Sequence, residues 1–257
     1  MNRRQTIRKL NADEYVHLGT GEVREFNKAD SRSEGYSSLT KTFKKLRYLI
    51  NNNFVGCKNE LMITLTYEEN MTDCKRLYTD VDKFLKRLRY KYRDKSKIEY
   101  LNVVEPQGRG AWHCHMLMKF VDMDSIFIEN EELAKIWGHG FVTIKRIEDV
   151  DNVGAYLTAY LADIPLEEYA GIETRDVLIK EGKKYVKGGR LHLYPVGMNI
   201  YRKSKGIEMP ERVRMKYKNA KKQIGMAVPT YLKSYDIRDS DDNVINSLSY
   251  EQYNLKR

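Results

Sequence analysis

The chain has 257 residues, 41% of them hydrophobic and 32% charged, enough to bury a real core in one domain with extensions or in two small ones. No stretch approaches the roughly 18 apolar residues of a membrane span, and the basic start, Met-Asn-Arg-Arg, leads into no apolar segment, so neither a spanning helix nor a secretory signal is expected. The 46 basic and 36 acidic residues leave a net charge of +10, which fits a polyanionic partner, because Lys and Arg release counterions on contacting phosphates.

Residues 1–36 are polar, charged and weakly periodic, and are expected to form a loosely ordered arm. The spacing of Phe43, Leu46, Leu49 and Ile50 predicts a basic amphipathic helix over 39–52. Alternation over 61–67 predicts a strand. Thr72 or Asp73 can then cap a helix that carries Leu77, Val81, Phe84, Leu85 and Leu88 on one face. Strands follow over 98–105 and 112–120, and the turn Pro106-Gln107-Gly108-Arg109-Gly110 between them predicts an antiparallel hairpin. A short helix over 131–137 ends at Gly138, a strand covers 141–147, and Asp151 or Asn152 caps a helix running to about Ala162. Beyond Pro165 the pattern weakens. A hairpin over 177–194 could turn at Gly182 or at Gly188-Gly189, and a basic helix is expected over 210–224 before a polar tail.

The expected organisation is a polar arm (1–36), an α+β domain with a central antiparallel sheet (37–165), a basic C-terminal extension (166–230) and a polar tail (231–257). Cys57, Cys74 and Cys114 make no CxxC pair, as expected of a reduced, cytoplasmic protein without a zinc knuckle. No phosphate-binding G-x-x-x-x-G-K-[ST] loop is present.

Two patterns carry chemistry. In Trp112-His113-Cys114-His115-Met116-Leu117-Met118, the strand period puts both imidazoles on one face, half of a divalent-metal site. Glu105, at the end of the preceding strand, or Gln107, on the same pleat parity, can reach across the hairpin as a third ligand to Mg²⁺ or Mn²⁺. In the helix 152–162, Tyr156 and Tyr160 share a face. Each pattern also has an ordinary reading, as two core histidines and two packing tyrosines. Taken together, a metal seat, a pair of phenols and a basic surface fit transesterification of a phosphodiester, since a phenol of pKa about 10 becomes an effective nucleophile when a metal withdraws charge from the phosphate. Arg87, Arg89, Arg109, Arg202, Lys203 and Lys205 are the candidate DNA contacts, with interleaved tyrosines able to stack on bases. His139 and His192 have no partner at ligand spacing and are expected to pack.

Residues 112–118 resemble the His-hydrophobe-His motif of the HUH endonucleases, residues 62–66 resemble the first strand motif of that superfamily, and Tyr156 with Tyr160 resembles the Tyr-x-x-x-Tyr motif of two-tyrosine rolling-circle replication initiators. The histidines precede the tyrosines, as in that class, and the resemblance spans about residues 58–165. Arg190-Leu-His-Leu-Tyr-Pro and Tyr201-Arg-Lys-Ser-Lys-Gly resemble segments of small phage and mobile-element initiators. Two positions bear on the match: Ala159 stands where the family often has a lysine, and Cys114 fills the hydrophobe slot and points away from the histidines. The resemblance implies an RNA-recognition-like sheet carrying a Mg²⁺ or Mn²⁺ ion, a single-stranded or hairpin origin as DNA partner, host helicase and polymerase as further partners, and a cytoplasmic bacterial setting. Two other readings stay open: a transposase or relaxase of the same chemistry, and a non-catalytic nucleic-acid-binding module.

Overall fold

The computed structural model of the chain describes residues 6–11, 13–26, 36–147, 153–165, 177–180, 183–186, 190–195, 197–253 and 255, with several side chains, those of Tyr156, Ala159, Tyr160 and His192 among them, left out. Three short strands, β1 (Ile7–Lys9), β2 (Glu14–His17) and β3 (Val23–Glu25), form an antiparallel meander where a loosely ordered arm is expected from the sequence. Strands of three and four residues with no buried face leave almost no period to read.

The central elements follow in the predicted order: α1 (Tyr36–Asn53), β4 (Glu60–Thr66), α2 (Cys74–Tyr92), β5 (Ile98–Pro106), β6 (Trp112–Phe120), α3 (Asn130–Trp137), β7 (Val142–Lys145) and α4 (Val153–Ala162). Asp73, rather than Thr72, caps α2, its carboxylate accepting from the backbone N–H groups of Lys75 and Arg76. Gly138 ends α3 in the left-handed region, at φ 73°. The caps expected for α4, Asp151 or Asn152, lie outside the described residues.

Beyond α4 come β8 (Ile164–Pro165), β9 (Val177–Lys180), β10 (Lys183–Val186) and β11 (Tyr201–Lys203). Strands β9 and β10 pair across positions 181–182, so the hairpin turns at the earlier of the two expected places, and β8 joins them. The basic helix is shorter than expected: α5 (Tyr217–Ile224) buries no residue. Pro210 and the charged run after it have no apolar stripe to hold them in a helix. The polar tail is a two-stranded ribbon, β12 (Tyr231–Arg238) with β13 (Val244–Gln252), exposed along almost its whole length.

The fold is α+β around a five-stranded antiparallel sheet of order β11-β5-β6-β4-β7. Its two faces differ. Cys114, Met116 and Met118 of β6 turn towards α2, as shown by the packing of Phe120 on Tyr92 and of Arg89 over Tyr100. His113 and His115 turn to the opposite face, beside Thr66 and Thr64 of β4 and facing Glu105 and Val103 of β5 in register. Helix α4 packs against α1. A Cβ on Gly154 would lie 2.9 Å from the Arg47 Cα, so only glycine permits this approach. Arg47 Nε donates to Thr158 Oγ1 at 2.8 Å, and Gly154 N donates to Asn51 Oδ1 at 3.0 Å. No helix among the described residues is long and apolar enough to cross a membrane.

Candidate active site

The β5–β6 hairpin delivers the histidines. Its turn is closed by Gly110 N donating to Gln107 O at 2.8 Å and by Gln107 N donating to Ala111 O at 2.7 Å, with Gly110 at φ 83°. That turn fixes a register in which Glu105 stands opposite His113. The Glu105 side chain reaches diagonally: its Oε2 lies 2.6 Å from His115 Nε2. When Nε2–H donates to this carboxylate, Nδ1 of His115 accepts from the Thr64 hydroxyl at 3.1 Å. Gln107, the other candidate, stays in the turn and accepts from Arg109 Nε at 3.0 Å.

His113 differs from its neighbour. Its Nε2 is buried and has no hydrogen-bond partner. Burial pushes its pKa down to about 4, reinforced by the charges of His115, Arg109 and Arg190 and opposed by Glu105. The imidazole is therefore neutral at physiological pH, the state in which it ligates a metal. An orphaned imidazole nitrogen, a second imidazole and a carboxylate on one sheet face form a donor set that fits a divalent cation. They stand as a His115–Glu105 pair beside His113: among the described residues no three His, Cys, Asp or Glu side chains form a closed metal shell.

The carboxylate is also held from behind. Arg190, buried with Glu105 at 6% exposure each, donates through Nη1 to Glu105 Oε1 and, at 2.9 Å, to the Pro106 carbonyl. Its Nε donates at 2.7 Å to the carbonyl of Asp163, the residue after α4. Sequence reasoning singles out the segment beginning at Arg190 without giving this residue a role. The one local signal is an arginine set against the apolar Leu191 and Leu193. Tyr156 and Tyr160 stand one turn apart on α4, and their side chains lie outside the described residues.

The expected DNA contacts are dispersed. Arg109 is exposed at the hairpin turn, near the histidines. Arg202 stacks over Tyr78 at 3.8 Å, Arg89 lies over Tyr100 at 5.2 Å, and Lys205 is exposed. Arg87 and Lys203 hold backbone: Arg87 donates to the Ile136 carbonyl at the end of α3 at 2.5 Å, and Lys203 donates to Ile207 O at 2.7 Å. Cys114 is fully buried against Asn102, and burial pushes its thiol up to about 12. His139 packs on Trp137 and Tyr67, with Nε2 3.5 Å from Asp80 Oδ1. The His192 side chain lies outside the described residues.

Residues 60–164 match the family model of the replication-associated protein of ORF2 type. The matched stretch runs from the start of β4 to just past α4, so it holds Glu105, both histidines and both tyrosines and stops short of Arg190. No curated protein and no solved structure matches the chain.

Proposed function

We propose that the chain is a rolling-circle replication initiator, a metal-dependent, site-specific single-strand DNA endonuclease and ligase. One observation carries this reading: a buried, neutral and unpartnered His113 nitrogen beside the His115–Glu105 pair, on a sheet tied through Arg190 to the end of the helix that bears Tyr156 and Tyr160. The match to a replication-associated family over the same residues supports it.

In this reading a tyrosine oxygen forms a bond to the scissile phosphorus as the P–O3′ bond breaks. The phenol gives up its proton to a base or solvent, and the departing O3′ takes one up to leave a free 3′-hydroxyl and a 5′-phosphotyrosyl enzyme. A bound Mg²⁺ or Mn²⁺, held by His113, His115 and Glu105, would draw charge from the phosphate and stabilise the leaving oxygen. The chain's own residues do the rest. Burial keeps His113 unprotonated and able to ligate, and Thr64 fixes the His115 ring through Nδ1. Arg109, at the hairpin turn, places positive charge where a DNA backbone would approach. The second tyrosine allows a second transfer without release of the covalent end. Origin DNA, host helicase and polymerase are the partners this activity calls for, and a transposase or relaxase would share the same site chemistry.

The test is incubation with labelled single-stranded DNA carrying a candidate origin, in Mn²⁺, followed by a denaturing gel. A covalent adduct in the wild type that disappears in the Tyr156→Phe, Tyr160→Phe double variant supports the proposal. Metal-independent binding without any adduct would instead favour a nucleic-acid-binding module.

A further inference from the structure

The segment that begins at Arg190 makes two bridges between the same two elements. Arg190 spans the Glu105 carboxylate and the Pro106 carbonyl on β5 and the Asp163 carbonyl beyond α4. Four residues on, the buried Tyr194 hydroxyl lies 3.1 Å from both the Val104 carbonyl of β5 and the Leu161 carbonyl of α4. One continuous polar path therefore runs from the end of α4 through Arg190, Glu105 and His115 to Thr64 on β4.

We propose that residues 190–194 act as a strap that sets the position of α4 against the histidine–carboxylate face, with Arg190 as its positioning residue. The assignment rests on the proposed nicking reaction for its catalytic meaning, but not for its mechanical content. A guanidinium suits the task because it is planar and always charged, and its several fixed donors can serve three acceptors at once. It occupies Oε1 of Glu105 and leaves Oε2 turned to His115. A lysine at the same place keeps the charge yet cannot span three acceptors with the same fixed geometry. The carbonyls that Tyr194 and Arg190 hold, at 161 and 163, lie within one turn of Tyr160, so a small shift there moves the tyrosine helix relative to Glu105.

The experiment uses the full chain and two conservative variants, Arg190→Lys and Tyr194→Phe. Single-turnover adduct formation at saturating DNA separates a rate constant from an amplitude. Loss of folded protein lowers the amplitude, whereas misplacement lowers the rate constant. A displacement of about 1 Å is enough to cost about 100-fold in rate, and that is the fall expected for Arg190→Lys with amplitude retained. For Tyr194→Phe a fall of about 10-fold is expected, because the charged bridge remains. A wild-type rate constant with reduced amplitude in Arg190→Lys would overturn the proposal and leave Arg190 a packing residue.

A second readout needs neither DNA nor metal. Amide hydrogen exchange over 153–162 should speed up in both variants while 112–120 keeps its protection. Unchanged exchange in α4 would also overturn the strap. If the wild type forms no adduct at all, the nicking proposal fails, and the strap is judged on the exchange data.

Discussion

Two buried carboxylates each face a histidine across the core, and they do different things. Asp80 on α2, 4% exposed, accepts from the Tyr67 hydroxyl at 3.1 Å and sits within salt-bridge reach of Arg76, Lys83 and His139. Its histidine stands 3.5 Å away, between aromatic rings. Glu105 on β5 is similarly buried, but one oxygen is fixed by Arg190, the other is 2.6 Å from His115, and an unpartnered imidazole nitrogen stands on the same sheet face. The first cluster surrounds one carboxylate with donors and so holds α2 to the turn after β4. The second leaves a buried acceptor unused, a condition that costs stability unless something fills it. Surplus ligand capacity, rather than the presence of a buried His–carboxylate pair, distinguishes a reactive centre from a structural one.

The comparison can be broken in several ways. The largest effect is expected for His113→Ala with His115→Ala, which should lower adduct formation by roughly 10²–10³-fold or more while DNA binding persists, measured by denaturing gel and by fluorescence anisotropy. Retained nicking in that variant would remove the metal role. Next come the two carboxylates. Asp80→Asn should cost on the order of 3 kcal/mol of stability in chemical denaturation, because it leaves buried partners uncompensated, and should leave the single-turnover rate constant of the folded fraction unchanged. Glu105→Gln should instead lower that rate constant by about 100-fold. If both substitutions act only through stability, the two clusters are equivalent and the distinction fails.

A smaller effect concerns pH. The His113 pKa is lowered from 6.5 to about 4 by burial, so between these values the unfolded chain binds a proton that the folded chain does not. Stability should therefore fall as pH drops from about 6.5 towards 4 and level off below that. The loss attributable to this group is about 2 kcal/mol once partial solvent screening is allowed for. Urea denaturation in EDTA across this range checks it. His113→Gln should flatten the slope, and an unchanged slope would mean that His113 is not held neutral by burial.

How much of this is legible in the chain depends on the range of the interaction that fixes each feature. The alternation of Met62, Thr64 and Thr66 with buried Leu61, Ile63 and Leu65, and of His113 and His115 with buried Cys114, is a period-two signal written within a few residues. The α2 cap at Asp73 and the turn at Gly110 are equally local. The role of Arg190 is not, because its partner lies 85 residues away and only the packed fold brings them together. The terminal ribbon escapes a sequence reading for a different reason. Tyr231, Tyr235, Ile237, Leu248 and Tyr250 alternate along it, but Asp and Ser residues fill the other face and the turn, so average polarity masks the period. The meander at 7–25 is too short for any period to register.

The smallest effect isolates the comparison most cleanly. His139 and His115 each approach a buried carboxylate, yet His139 has no second imidazole at its side and stands against Tyr67 and Trp137, with ring centroids 5.7 and 4.9 Å away. Its contribution is packing plus a long contact to an Asp80 already served by three other groups. His139→Gln should therefore cost about 1 kcal/mol of stability and leave the adduct rate constant within about twofold of wild type in both Mg²⁺ and Mn²⁺. A loss of nicking comparable to that of the β6 histidine variants would place a ligand where the packing puts a core residue, and it would merge the two clusters into one functional network reaching through the sheet.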